Sequence, residues 1–94
     1  MQLEQNQLTE PLNYVVYILR CADQSLYTGI TNNLEQRLKM HNLGKASKFT
    51  RGRLPVVLVY MEEGYTRGQA LSREKKIKEL PREQKLRLIV RQES

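Results

Sequence analysis

Two hydrophobic patterns run along the chain. Tyr14 to Arg20 (YVVYILR) and Leu26 to Ile30 (LYTGI) are β-branched and aromatic, and the stretch between them, Cys21 to Ser25, is short and polar. That arrangement predicts a β-hairpin. Strand side chains alternate with period two, so Tyr17 shares a face with Val15 and Leu19, and in any register it falls opposite or near residues 27 to 30. Tyr17 and Tyr27 thereby become neighbours. Asn32 followed by Glu35 makes a capping-box-like start and Gly44 a C-terminal stop, which predicts a helix over 33–43. Leu34 and Leu38 form its apolar stripe, Arg37 and His41 line one edge of that stripe four residues apart, and Lys39 points to solvent.

Lys45 to Leu54 (KASKFTRGRL) reads as a basic loop, and Pro55 introduces Val56 to Tyr60 (VVLVY), the clearest strand in the chain. Thr66 with Gln69 three later is a second capping box, opening a helix through Leu80; Pro81 then permits a new helical start reaching about Val90. Met1 to Asn13 is polar and without hydrophobic period. The expected organisation is a flexible tail over 1–12, one domain over 13–91 and a C-terminal tail over 92–94. The fold class is α/β, a three-stranded, mostly antiparallel sheet flanked by helices in the order β-β-α-β-α-α.

Length narrows the picture further. A chain of 94 residues buries roughly 60–70% of its unfolded surface, enough for one modest core without staples. One Cys and one His exclude an internal disulfide and a four-ligand structural zinc site within the chain. Cys21 with His41 as a nucleophile pair lacks an Asn or Asp orienter. The longest apolar runs fall far short of the roughly 20 residues that span a bilayer, and no basic stretch precedes a hydrophobic run at the start, so a soluble, cytoplasmic protein is expected.

Charge divides the chain unequally. Residues 1–36 carry one base and four acids, whereas residues 37–94 carry fifteen bases and six acids. Between Arg37 and Arg53 six bases occur without a single acid. Lys45, Lys48, Arg51 and Arg53 within that stretch suit a polyanion, and binding of nucleic acid there would weaken steeply with salt. A solvated basic surface or a basic face for an acidic protein partner are the bland alternatives. Phe49 alone is no stacking platform.

The second predicted helix contains an anomaly: Glu74 falls between Ala70 and Leu71 on the apolar stripe. An ionised carboxylate placed there requires a basic side chain or a metal ion, and Lys78 one turn on is the local candidate.

Two sheet tyrosines, an Arg and a His on one helix edge, a lone inward Glu and a basic loop together resemble the GIY-YIG nuclease family, in particular its short stand-alone bacterial members. The first motif corresponds to Val15-Val16-Tyr17 and the second to Tyr27-Thr28-Gly29; Arg37 lies ten residues on, with His41 four later. Glu74, in ALSREKKIK, looks like the family's metal ligand. The resemblance covers roughly Asn13 to Arg91. It implies a metal-dependent DNA endonuclease, with DNA repair or recombination as its setting. It also implies catalytic roles for Tyr17, Tyr27, Arg37 and His41, Mg²⁺ or Mn²⁺ on Glu74, an open floor at Gly29 and DNA as partner, with no small-molecule cofactor. Either tyrosine could be the base, with His41 or a loop lysine supplying a cation to its phenolate. Two positions depart from the pattern: Val15 replaces the first Gly, and no Asn follows Asn42. A non-catalytic nucleic-acid-binding module on the same scaffold is the alternative reading.

Overall fold

Tyr14–Arg20 forms the central strand, β1, and its near-continuous apolar character follows from being covered on both sides: all five of its interior positions are buried. The computed structural model describes residues 10–93. Residues 1–9 of the expected 1–12 tail therefore fall outside the described residues. The hairpin partner β2 (Leu26–Thr31) and the later strand β3 (Val57–Tyr65) both pair antiparallel with β1, giving the order β2-β1-β3. Tyr17 stands opposite Gly29 across the β1–β2 ladder.

Alternation along β1 divides the core into two layers. Val16 and Ile18 face one side, with Tyr60 and with Ala70, Ile77 and Ile89 from the last two helices; Tyr17 and Leu19 face the other, with Leu34 and Leu38. The helices are α1 (Leu34–Asn42), α2 (Lys48–Arg51), α3 (Arg67–Glu79) and α4 (Arg82–Glu93). Among the described residues no helix is long and apolar enough to cross a membrane.

The helix ends follow the local chemistry. Asn33 caps α1 by accepting from the Gln36 N–H at 3.2 Å, one position later than the Asn32 cap expected, because Thr31 Oγ1 takes the Asn33 N–H at 3.0 Å. At the other end the Gly44 N–H donates to His41 O and the Lys45 N–H to Met40 O, each at 2.9 Å. This six-residue closure requires the left-handed backbone that Gly44 adopts at φ +75°. Thr66 and Gln69 form the reciprocal box at the start of α3.

Three expectations need correction. The basic stretch is not all loop: Ser47 accepts from the Phe49 N–H at 3.1 Å and starts the one-turn helix α2. The third strand does not stop at Tyr60 but runs through Met61-Glu62-Glu63-Gly64 to Tyr65. Glu and Gly are poor strand formers, yet here the register slips between Tyr14 and Val16, and Gly64 takes φ +88° in the bulged segment. The end of the chain is not a tail from residue 92, since α4 continues to Glu93. Gln92 holds it there: its side-chain amide accepts from the Met61 N–H at 3.0 Å and donates to Met61 O at 2.7 Å. Asn42 does the same at the start of β3, accepting from the Val56 N–H at 2.8 Å and donating to Val56 O at 3.1 Å.

Candidate active site

Gly29 is where the site begins. A Cβ built on it would lie 2.6 Å from Tyr17 Oη and 2.8 Å from Tyr17 Cζ, so the Tyr17 phenol crosses directly over the neighbouring strand. Gly29 thus leaves its space to the Tyr17 ring itself, where the resemblance implied an open floor. The hydroxyl ends at His41, with Oη and Nε2 sharing a hydrogen bond of 2.9 Å. His41 is 1% exposed, far from the stripe-edge position that helix periodicity suggests for it. Its second nitrogen, Nδ1, lies 2.9 Å from Thr50 Oγ1 on α2.

Tyr27 completes an aromatic cluster. Its ring centroid is 5.1 Å from that of His41, edge-on, and 6.4 Å from that of Tyr17. Phe49 stacks on Tyr27 at 6.0 Å and the Arg53 guanidinium sits 4.1 Å from the Phe49 centroid. Arg53 is further engaged by Asp23 at 3.0 Å and by the Phe49 carbonyl at 2.7 Å. Among the expected phosphate-binding bases it therefore braces the hairpin turn against α2, whereas Lys45, Lys48 and Arg51 are exposed.

Electrostatics tie in the two remaining residues. Burial pushes the Tyr17 phenol well above the ordinary tyrosine value, the Tyr27 hydroxyl and the Glu74 carboxylate push in the same direction, and the Arg37 guanidinium opposes them. Burial, and secondarily the Arg37 charge, hold His41 below its usual value. Both shifts favour an uncharged imidazole beside a neutral phenol near neutral pH, which weighs against His41 as the cation for a phenolate. Arg37 is half-buried, and Glu74, 18% exposed, has Lys78 Nζ at 3.4 Å. The expected pairing of Glu74 with a base one turn on is present.

The donor set can be weighed against a divalent cation. Among the described residues no three His, Cys, Asp or Glu side chains gather into a cage. One hard carboxylate with a single long contact to a lysine suits a cation that keeps most of its waters and shares phosphate oxygens. Glu74 fits that style of site.

Two features lay beyond sequence reasoning. Thr50, 0% exposed, is the partner behind His41, and only its i,i+3 relation to the helix-capping Ser47 hinted at an inward position. Glu62 accepts both Arg73 Nε and Arg73 Nη2 at 2.8 Å, and the hydroxyls of Tyr60 and Tyr65 donate to it as well. This network ties β3 to the helix turn that carries Glu74.

Comparison with known proteins turns these contacts into an identity. Residues 13–87 match the profile of the GIY-YIG catalytic domain. The chain belongs to the GIY-YIG family. Its relatives are short proteins matched over most of their length. A UPF0213 protein of Oceanobacillus iheyensis is 55% identical over 80 residues, covering 85% of this chain and 93% of the relative. A UPF0213 protein of Clostridium perfringens is 60% identical over 78 residues, covering 83% of each. The solution structure of a UPF0213 protein from Bacillus halodurans, 40% identical, superposes with a TM-score of 0.53 over 82% of both chains. Membership of a nuclease family supports a nuclease-type role acting on nucleic acid.

Proposed function

We propose that this GIY-YIG protein is a divalent-metal-dependent DNA endonuclease of the cytoplasm, serving repair or recombination, with Tyr17, Tyr27, Arg37, His41 and Glu74 as its working residues. The observation that carries the reading is the buried Tyr17–His41 hydrogen bond of 2.9 Å, set where the Arg37 and Glu74 charges both act on the phenol.

Tyr17 is the proton acceptor for the attacking water. A phenol this far above neutral pH cannot wait as a phenolate; it works by passing its own proton to His41 Nε2 as it takes one from water. His41, held neutral by burial and by Arg37, is ready to receive that proton and disfavours keeping it, which resets the pair. Arg37 offers its planar N–H fork to the scissile phosphate, and its partial burial fixes the fork before substrate arrives. Tyr27 packs edge-on to the imidazole and keeps it upright. Glu74 would hold Mg²⁺ or Mn²⁺. When bound, that ion supplies charge stabilisation to the leaving 3′ oxygen and the phosphorane. The exposed Lys45, Lys48 and Arg51 grip flanking phosphates without reading sequence.

The test is cleavage of branched, single-stranded and plasmid DNA with Mg²⁺ or Mn²⁺ and then with chelator. Glu74→Ala and Tyr17→Phe are expected to abolish metal-dependent cleavage and leave DNA binding nearly intact. Cleavage unchanged in both variants rejects the assignment; binding without any cleavage by the unaltered chain favours a non-catalytic module.

A further inference from the structure

We propose that Thr50 is a positioning residue for the Tyr17–His41 pair, its hydroxyl oxygen accepting the Nδ1 proton of His41 and holding the ring in the tautomer whose bare Nε2 receives the Tyr17 proton. The structural part stands on hydrogen-bond accounting alone; its kinetic consequence rests on the endonuclease reading.

Both ends of the network lead to the same tautomer. At the far end, Thr50 Oγ1 donates to the Ser47 carbonyl at 3.4 Å. A hydroxyl has a single proton. With that proton turned to Ser47, the Thr50 oxygen meets His41 Nδ1, 2.9 Å away, as an acceptor. At the near end, Tyr17 is 2% exposed and its hydroxyl lies 2.9 Å from His41 Nε2. A buried phenol O–H needs an acceptor. Were Nε2 protonated, the phenol oxygen would accept from it and the phenol proton would find no acceptor among the described residues. Among the described residues no buried side-chain nitrogen or oxygen lacks a partner, and a neutral imidazole has one donor and one acceptor nitrogen. Within the described residues, only the Nδ1–H form gives the Tyr17 hydroxyl proton an acceptor. Burial and the Arg37 charge keep the ring neutral, as this arrangement needs.

The location adds a consequence. Thr50 lies on α2 between Phe49 and Arg51, so the segment that carries exposed bases toward nucleic acid also sets the protonation pattern of the ring behind the reacting phenol.

His41 is the only histidine in the chain, so the imidazole region of a long-range proton–nitrogen spectrum of the nitrogen-labelled, untagged full chain reads this ring alone. Near neutral pH the unaltered protein is expected to show a protonated Nδ1 and an unprotonated Nε2. Thr50→Val, which keeps the shape and removes the hydroxyl, is expected to relax the ring toward the other tautomer, and Thr50→Ser to keep it. In cleavage, Thr50→Val is expected to lower kcat roughly ten- to a hundredfold with KM within about twofold, and Thr50→Ser to restore it. A ring already in the Nε2–H form overturns the proposal whether or not the variants fold; so does a Thr50→Val spectrum or kcat identical to that of the unaltered chain. An Nδ1–H ring in a chain that cleaves nothing upholds the tautomer assignment and refutes the endonuclease reading instead.

Discussion

Adding one methyl group at Gly29 tests the geometry on which the site depends. The Cβ of Gly29→Ala would sit 2.6 Å from Tyr17 Oη and 3.0 Å from Tyr27 Cε2, where ordinary contact begins at 3.4 Å. The Tyr17 hydroxyl must therefore move by ~0.8 Å, the difference between those two distances. Starting from 2.9 Å, a shift of that size along the line to His41 leaves ~2.1 or ~3.7 Å, and neither is a hydrogen bond. A sideways shift must displace side chains of the same packed layer, which includes Leu19, Leu38 and Leu58. Overpacking a filled core costs about 1–3 kcal/mol. For a domain of this size about 2 kcal/mol corresponds to a fall in Tm of roughly 8–16 °C. Displacing a reacting group by about 1 Å costs on the order of a hundredfold in rate, so cleavage should drop more than residual folding accounts for. Differential scanning calorimetry and cleavage at a temperature where the variant is still folded separate the two effects. An alanine variant with Tm within about 2 °C of the parent and undiminished cleavage would refute the close approach of Tyr17 to this strand, since 2 °C is well under the shift expected from 1 kcal/mol.

Other predictions follow from the charges. Arg73, donating twice, and the hydroxyls of Tyr60 and Tyr65 hold the Glu62 carboxyl down at about 2 against an ordinary 4.5. A depressed carboxyl stabilises the fold above its unfolded value and loses that contribution as pH falls, here between about pH 5 and 2. After allowance for solvent screening the loss is roughly 1–2 kcal/mol, and in urea titrations across that range Glu62→Gln should flatten the pH dependence; an unchanged slope would remove Glu62 from the account. Replacing Lys48 and Arg51 together by Gln should reduce the salt slope of DNA binding by about 2, measured by fluorescence anisotropy at several salt concentrations. Arg53→Gln, which breaks the brace to Asp23 and the Phe49 carbonyl, should lower Tm and change that slope less than either neighbour; the opposite ranking would place Arg53 on the nucleic acid.

The parts of this fold written in short-range chemistry could be read from the chain. The hairpin, the Gly44 stop and the Thr66–Gln69 box are each decided within a few residues, and period-two alternation suffices to bring Tyr17 over to Gly29. What escaped depends on partners distant in sequence. Met61 to Tyr65 looks like a loop because Glu62 and Gly64 disfavour strands; Arg73, eleven positions later, is what makes an inward Glu62 tolerable. His41 looks like a stripe-edge residue because nothing nearby announces that Thr50 will close over its far nitrogen. The charge state of the ring is hidden for the same reason: a free imidazole titrates close to neutrality, and enclosure with Arg37 beside it is what favours the uncharged form. The Glu74–Lys78 contact was legible because the two residues lie one helical turn apart.

The amide of Gln92 has a consequence outside catalysis. β3 is an outer strand, and such strands invite a second chain to add on, the first step toward fibrils and swapped dimers. By occupying both the outward donor and the outward acceptor of Met61, one glutamine side chain imitates the missing neighbour and stops sheet growth at mid-strand. The last helix thus guards the protein against polymerising with itself, a reason for its final turn to be kept.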